Sequence, residues 1–478
     1  MLRRTKILAT IGPASESAAV LADLIGAGMD AVRLNLSHGS LDDALAIHER
    51  VRKLAAESGR YIGTLVDLPG PKVRAASFGK EGVDLADGAI VRLVPGTGRS
   101  TAEVIEISYD ELLTRIEVGD RLSFGDGAID CEVVDKDQGG LRVRMVHGGH
   151  VWGRPGVHIP SDRLRINTPT PEDLRILDAF VEAGVDMVAV SFVRSAHDVR
   201  RVGTEPYPRG PLVVAKIETR AAIDNLAGII EASGAVMIAR GDLGNECSIE
   251  ELPHLQKHII RECIAHSRPA ITATQMLESM IQAATPTRAE ASDVANAVFD
   301  GSSVVMLSGE TAVGHDPVNV VRTMARLCAR ADANFDYESW GTRLAHLRKS
   351  APEDVSADHL LTDTMTGAAW RAATELGATA IIAISRSGFT VRAIARYRPV
   401  AQILGFSPDE RTLHQLSISW GATPLPLSGF AVNDEMVGEA VAVAKAEGHV
   451  RAGDMVIVLA GTDARSRGTD VLRAVSVR

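Results

Sequence analysis

Short runs rich in Val, Ala, Ile and Leu recur along the chain, each ending in glycine or charge and followed by a stretch with helical spacing. Residues 6–12 (KILATIG) form the first run and are closed by Gly-Pro. SESAAVLADLIGAG follows with a Ser start and Gly26 and Gly28 near its end, as a helix requires. DAVRLNLSHG is the next strand, with Arg33, Asn35 and Ser37 on alternate positions of its tail. A helix from Leu41 to about residue 57 leads into YIGTLVDLPG, which ends in Asp67. This βαβαβ opening predicts a parallel sheet. After residue 160 the alternation resumes with TPTPEDL, a capped helix start carrying Pro171 and two acids in its first turn. MVAVSFVR ends at Ser191, Phe192 and Arg194, and LVVAKIE and AVMIARGDL are the next two strands. PAITATQM is expected to carry Thr272 and Thr274 on one face, and SSVVMLSGET ends at Ser308 and Glu310. The strands beginning at Lys6, Asp30, Tyr61, Met187, Leu212, Ala235, Pro269 and Val304 make eight, with parallel connectivity. The expected fold class is therefore α/β, a (β/α)8 TIM barrel whose polar clusters lie at the C-terminal ends of the strands.

The rhythm breaks between residues 72 and 160, where short alternating segments with Gly and Asp turns predict a compact antiparallel β module. Because it follows the third strand, it is expected to lie over the active face as a lid. Past the barrel, GTRLAHLRKSAPEDVSADH is polar and mixed and reads as a linker. ATAIIAIS, AQILGF, ATPLPL and DMVIVLAG are expected strands of a small α/β domain. The expected division is barrel at 1–70 and 164–340, a small β-barrel lid at 71–163, and a C-terminal α/β, regulatory domain at 341–478.

Chemistry concentrates between residues 211 and 244. In an extended chain Lys216 and Glu218 project from the same face, and Asp242 ends the next strand between Gly241 and Gly244. A cation and two carboxylates at strand ends suggest a divalent metal beside a lysine that meets a transferring anion. Mutual neutralisation of Lys216 and Glu218 is the plainer alternative, but buried charge without function is rare. SRSGFT, at a strand-to-helix turn, can offer Ser385, Arg386, Ser387, Gly388 and Thr390 to a phosphate, or serve as an ordinary helix cap.

Composition narrows the partners. The 478 residues carry a formal net charge of -10, which argues against non-specific nucleic-acid binding and against an anionic membrane surface. An anionic substrate must then be drawn by local cations. Cys131, Cys247, Cys263 and Cys328 are widely spaced and indicate neither a disulfide framework nor a zinc site. The N-terminal apolar run is too short for a secretory signal, and no run approaches a membrane span, so a cytoplasmic protein is expected.

KILATIGPAS, AVRLNLSHG, AKIE, MIARGDLG, ATQMLESM, PTRAEASDVANAVFDG and MLSGETAVG, in this order and spacing, resemble the pyruvate kinase family over almost the whole chain. The resemblance implies transfer of a phosphoryl group from phosphoenolpyruvate to ADP, giving pyruvate and ATP, the final step of glycolysis. It implies Glu218 and Asp242 as ligands of Mg2+ or Mn2+, and Lys216 and Arg33 on the phosphoryl group in flight. Gly241 and Asp242 would receive the substrate carboxylate, and Thr274 would flank the enolate. Ser308 with Glu310 would form the protonating relay, while Asn35, His38 and Arg74 would contact the nucleotide. The family commonly holds K+ near Asn35, Ser37 and Asp67. Here Leu68 and Lys72 replace the Thr and Glu of potassium-requiring members, so no K+ requirement is expected, the Lys72 ammonium supplying the charge. The usual lysine pair is replaced by Gly153-Arg154-Pro155-Gly156, and the C-terminal segment lacks the Pro and Asn of the usual effector loop. A sugar-phosphate or nucleotide effector at Ser385–Thr390 and a homotetramer are further implications. A metal-dependent, pyruvate-forming lyase and a non-catalytic regulatory paralogue are the rival readings.

Overall fold

The computed structural model describes residues 3–125, 129–164, 167–347, 357–429, 434–461 and 468–478. Eight strands close the barrel: β1 Lys6–Ile11, β2 Ala31–Asn35, β3 Gly63–Asp67, β4 Met187–Val190, β5 Leu212–Ile217, β6 Ala235–Ala239, β7 Ala270–Ala273 and β8 Val304–Leu307. All neighbours pair in parallel, and β1 closes on β8 with Lys6 opposite Val304. The intervening helices are set by local signals. Ser17 and Ser40 cap two of them, Thr170 and Thr287 form capping boxes with Asp173 and Glu290, and Gly28, Gly59 and Gly301 end helices in the left-handed region.

Strand alternation then sorts side chains into two layers. Leu8, Ala31, Leu65, Met187, Val214, Met237, Ile271 and Met306 fill the lumen, while Ile7, Val32, Val66, Val188, Ala215, Val236 and Val305 pack against the helices. Burial of each Leu, Ile or Val contributes roughly 1.5–3 kcal/mol, so both layers hold the ring. Continuing the lumen face upward places Arg33 above Ala31, Asp67 above Leu65 and Lys216 above Val214. Thr272 departs from the expected face. It lies between the lumen residues Ile271 and Ala273, is fully buried, and pairs its hydroxyl with Ser302 at 2.7 Å. Thr274 does not share that face because its φ of 64° turns the chain out of extended geometry.

The segment between β3 and β4 carries a six-stranded sheet in the order Val157–His158, Arg121–Phe124, Ile129–Asp137, Gly140–His147, Ile90–Pro95, Val104–Ile107, with a two-stranded sheet of Val83–Leu85 and Gly149–Val151. One pairing departs from the antiparallel expectation: Ile90–Pro95 and Val104–Ile107 run parallel. The intervening loop wraps on the Glu106 carboxylate, which accepts the Gly98 N–H at 2.6 Å, and so returns the chain to the start of its neighbour.

The stretch expected as a linker is helical at both ends, within Tyr337–Leu347 and Ala357–Glu375, and residues 348–356 lie outside the described residues. Trp340 and Leu344 explain the first of these. Leu344 is buried, and the Trp340 indole donates to the Arg396 carbonyl at 2.8 Å, so polar composition hid an apolar stripe. The C-terminal sheet has the order Ala422–Pro426, Gln402–Ser407, Ala380–Ile384, Met455–Ala460, Val471–Ser476. Its last strand is antiparallel and was not expected. This domain sits under the N-terminal mouth of the barrel. Ile418 joins the lumen cluster, the Gln415 amide donates to Asp186 O at 3.0 Å, and His414 Nδ1 is 2.9 Å from Ile62 O. The approach is so close that a Cβ at Gly63 would lie 2.3 Å from Ser417 Oγ.

Candidate active site

The C-terminal ends of β2 to β6 bring two cations, Arg33 and Lys216, and three carboxylates, Asp67, Glu218 and Asp242, together. Lys216 Nζ is 2.8 Å from Ser191 Oγ, 2.7 Å from Glu218 Oε1 and 3.3 Å from Asp67 Oδ1. Arg33 donates from Nε to Asp67 Oδ2 at 2.7 Å and from Nη1 to Thr10 Oγ1 at 3.1 Å. Burial opposes charge on Asp67, but Lys216 and Arg33 override it and hold the carboxyl below its ordinary range. Burial likewise opposes charge on Lys216, yet Asp67 and Glu218 raise its pKa, so the ammonium is retained.

Glu218 differs from Asp67. Burial raises its pKa, Lys216 opposes the rise, and Asp242 adds to it through like charge. Its Oε2 accepts the Phe192 N–H at 2.6 Å, made available by a left-handed Phe192 with φ 55°. Its Oε1 is buried 2.7 Å from the Lys216 ammonium, and among the described residues no other group engages it. A buried carboxylate oxygen with one ammonium for a partner, beside a second carboxylate, suits a hard cation. Among the described residues no three His, Cys, Asp or Glu side chains form a metal cluster. Two carboxylates nonetheless suffice for Mg2+, which completes its shell with water and substrate oxygens. The residues present therefore fit a divalent ion.

The opposite side of the rim is built from strained backbone. Thr274 and Gln275 have φ of 64° and 54°, a conformation costing about 1–3 kcal/mol each in non-glycine residues. Arg240 holds them there, donating to Ala273 O at 3.1 Å and Thr274 O at 2.6 Å while pairing with Asp293 at 2.7 Å. Thr274 Oγ1 accepts the Gly241 N–H at 3.0 Å, which brings Thr274 beside the helix Arg240–Glu246 that carries Asp242. Glu310 is buried with both oxygens engaged by backbone, Oε2 by Ser308 N at 2.6 Å and Oε1 by Leu277 N at 3.0 Å. Ser308 Oγ itself is buried and has no hydrogen-bond partner.

Not every expected residue joins this cluster. Asn35 Oδ1 accepts the Ser37 N–H at 3.2 Å, His38 is exposed, and Leu68 is buried in the outer core. Lys72 is exposed on the loop after β3. Arg74 lies where the insert joins the barrel and donates to Arg154 O at 3.1 Å. Ser385, Arg386, Ser387, Gly388 and Thr390 lie away from this face, in the C-terminal domain. There Gly388 takes φ 72°, Thr390 Oγ1 meets Thr469 Oγ1 at 2.7 Å, and Thr412 Oγ1 donates to Arg386 O at 2.7 Å. The terminal effector-loop residues 462–467 lie outside the described residues.

Sequence reasoning missed four contributors. Ser191 was noted only as a strand end, and Thr10, Arg240 and Asp293 not at all. Thr10 interrupts the apolar run of β1, and Arg240 directly precedes Gly241-Asp242, so both positions carried a signal. Glu246 adds a further contact. It accepts from Ser161 N at 2.9 Å and Ser161 Oγ at 2.6 Å and stands 3.1 Å from His158, tying the returning insert to the barrel.

Fold and rim together define a barrel enzyme that gathers cations and carboxylates around an anionic substrate. The family described as "Pyruvate kinase, barrel domain" matches residues 2–321, and "Pyruvate kinase, alpha/beta domain" matches residues 363–475. A pyruvate kinase of Staphylococcus epidermidis is 36% identical over 475 residues, covering 98% of this chain and 79% of that protein. Those of Staphylococcus haemolyticus and Staphylococcus aureus are also 36% identical, over 476 and 475 residues, with the same coverage. The chain belongs to the pyruvate kinase family. Its reaction is phosphoryl transfer from phosphoenolpyruvate to ADP, and the family requires a divalent metal. No helix among the described residues is long and apolar enough to cross a membrane.

Proposed function

We propose that the Lys216–Asp67–Arg33–Glu218 cluster is where the phosphoryl group is transferred. Two cations against three carboxylates leave the rim short of positive charge just where a phosphate must enter. Glu218 and Asp242 would hold Mg2+ or Mn2+, which supplies charge neutralisation to the transferring oxygens when bound. Lys216, fixed by Ser191 and Asp67, keeps its proton and presents the ammonium to the same group. Arg33, oriented by Thr10 and Asp67, reaches it from β2. The Gly241 and Asp242 backbone receives the substrate carboxylate, and Thr274 flanks the enolate. Ser308 hands the proton on through water, while Glu310, saturated by backbone N–H groups, positions the Ser308 main chain. Asn35, His38 and Arg74 contact ADP at the opening between barrel and insert.

Asp67 is already neutralised by Arg33 and Lys216, and Leu68 is packed in the core, which supports catalysis without K+ and with Lys72 as the nearby fixed cation. The chain divides as 1–70 with 164–340, 71–163 and 341–478. The loop Ser385–Thr390 accepts a sugar phosphate or nucleotide effector, and the active form is a cytoplasmic homotetramer. The observation that carries the reading is the three-way contact of Lys216 with Ser191, Glu218 and Asp67. Pyruvate release from phosphoenolpyruvate and ADP with Mg2+ in potassium-free buffer tests it. Full turnover that KCl does not raise is expected, and turnover only after adding KCl would overturn the potassium reading alone. No pyruvate under either condition would overturn the site assignment.

A further inference from the structure

On the opposite side of the barrel from the rim, a cavity lies between the N-terminal ends of β7 and β8 and the C-terminal domain. It leaves about 20 Å3 to the centres of water-sized molecules and is partly open to solvent. Arg268, Arg392, Arg396 and Arg398 all line it, with Ser419 and Trp420. Arg396 is paired with Asp363 at 2.6 Å. Arg398 donates to Val298 O at 3.1 Å and Ser302 O at 2.8 Å and lies over Phe335. Among the described residues, Arg268 and Arg392 form no ion pair with a carboxylate. Arg392 is 2% exposed, and its one hydrogen bond to the backbone runs from Nη2 to Ser387 O at 2.8 Å.

The residues that carry the leftover donors line one space. Among the described residues, Arg268 Nη1, Arg392 Nε and Nη1, Arg396 Nε, Ser419 Oγ and Trp420 Nε1 are buried without hydrogen-bond partners, the Arg392 guanidinium lying 5.0 Å from the centre of the Tyr207 ring. Each such orphan costs about 1–3 kcal/mol, and an unpaired buried cation costs more. A single neutral water cannot answer several converging N–H groups on like charges. A tetrahedral oxyanion can, because its oxygens accept from guanidinium forks and its charge offsets two unpaired arginines.

We propose that this cavity binds a phosphate group, free or carried by a small metabolite, and that the bound anion ties the C-terminal domain to the base of the barrel. Residues from both sides surround it: Arg268 and Ser303 belong to the barrel, and Arg392, Arg396 and Ser419 to the C-terminal domain. The cavity neighbours the Ser385–Thr390 loop, which touches it through the Ser387 carbonyl on Arg392 and the Phe389 ring under Arg268, but no residue of the loop lines it.

Thermal unfolding of the full chain in metal-free buffer of constant ionic strength tests the proposal, with inorganic phosphate as the probe. The midpoint should rise with phosphate in the wild type and in Arg33→Leu, whose rim anion site is weakened, but not in Arg392→Leu. Without phosphate, Arg392→Leu should be at least as stable as the wild type, because an uncompensated buried cation has gone, so the two stabilities cross as phosphate is added. Ser419→Val keeps every arginine while removing one donor and filling space, and should weaken the phosphate response roughly tenfold. It also serves if Arg392→Leu does not fold. A hexose monophosphate acting at lower concentration than inorganic phosphate, with the same loss in Ser419→Val, identifies a phosphorylated metabolite as the occupant. An equal or weaker effect identifies free phosphate. Equal phosphate responses in the wild type and Ser419→Val, which would place the binding elsewhere, or none in the wild type, would overturn the proposal.

Discussion

The two ends of the barrel each collect positive charge and handle it in opposite ways. At the C-terminal rim, Arg33 and Lys216 are matched inside the chain: Asp67 takes both, and Glu218 takes the ammonium again. At the N-terminal base, Arg268 and Arg392 have no such acid among the described residues, and Arg398 relies on carbonyls and aromatic faces. The rim carries an excess of carboxylate and the base an excess of guanidinium. A site with excess carboxylate must import a cation before it can accept a phosphate, whereas a site with excess arginine can accept one directly. Charge balance, rather than the mere presence of arginine, separates a reaction centre from a binding cavity.

Removing the Glu218 carboxylate at the rim should have the largest effect. Glu218→Gln keeps the shape but loses the buried oxygen charge, and kcat should fall on the order of 10³-fold, with more Mg2+ needed for half activity. Steady-state kinetics across a metal titration check this. Arg240→Met should come next. It unpins Thr274 and Gln275 from their left-handed backbone, and kcat should drop at least about tenfold while KM for phosphoenolpyruvate changes less. Arg240→Lys should rescue little, since one ammonium cannot reproduce the contacts to Ala273, Thr274 and Asp293.

Acid should weaken the base rather than the rim. Burial pushes the His414 imidazole down to about 4 from an ordinary 6.5, with Arg52 assisting and the Ile62 carbonyl opposing. The unfolded chain therefore binds the proton more tightly, so stability is lost as pH falls from about 6.5 towards 4 and is constant again below. The loss attributable to this group is up to about 3 kcal/mol. Urea unfolding of the wild type and His414→Asn between pH 7 and about 4 should show a shallower decline in the variant. The smallest effect concerns Lys72, whose side chain is exposed. Lys72→Glu should leave folding unchanged, within about 0.5 kcal/mol, while turnover becomes dependent on added KCl.

Much of this was legible in the sequence because strand alternation converts position into direction. Arg33, Asp67, Lys216 and Glu218 each fall two or four residues beyond a lumen residue, so a count along the strand placed them at one rim. Thr272 and Thr274 do not share a face because the left-handed turn at Thr274 takes it out of the strand alternation that Thr272 obeys, and no residue type announces that turn. Arg240 and Asp293 were hidden for a different reason, since their contact joins residues 53 apart on separate elements. The arginine-lined base was illegible because its donors come from both domains, and only the docked chain shows which of them lack partners. Val471–Ser476 was overlooked as a strand because its exposed edge position lets charge and small residues interrupt the apolar pattern.

The most direct test of the rim as a phosphoryl-transfer centre is the kcat for pyruvate release by Lys216→Met at saturating phosphoenolpyruvate, ADP and Mg2+, with folding verified by near-ultraviolet circular dichroism. The charge-balance account predicts a fall of about 10²–10³-fold, with KM for phosphoenolpyruvate altered far less, because the ammonium acts on charge that develops in transfer. A folded Lys216→Met enzyme turning over within about threefold of the wild type would contradict it, and would reduce the Lys216–Asp67–Glu218 contacts to a structural ion-pair network.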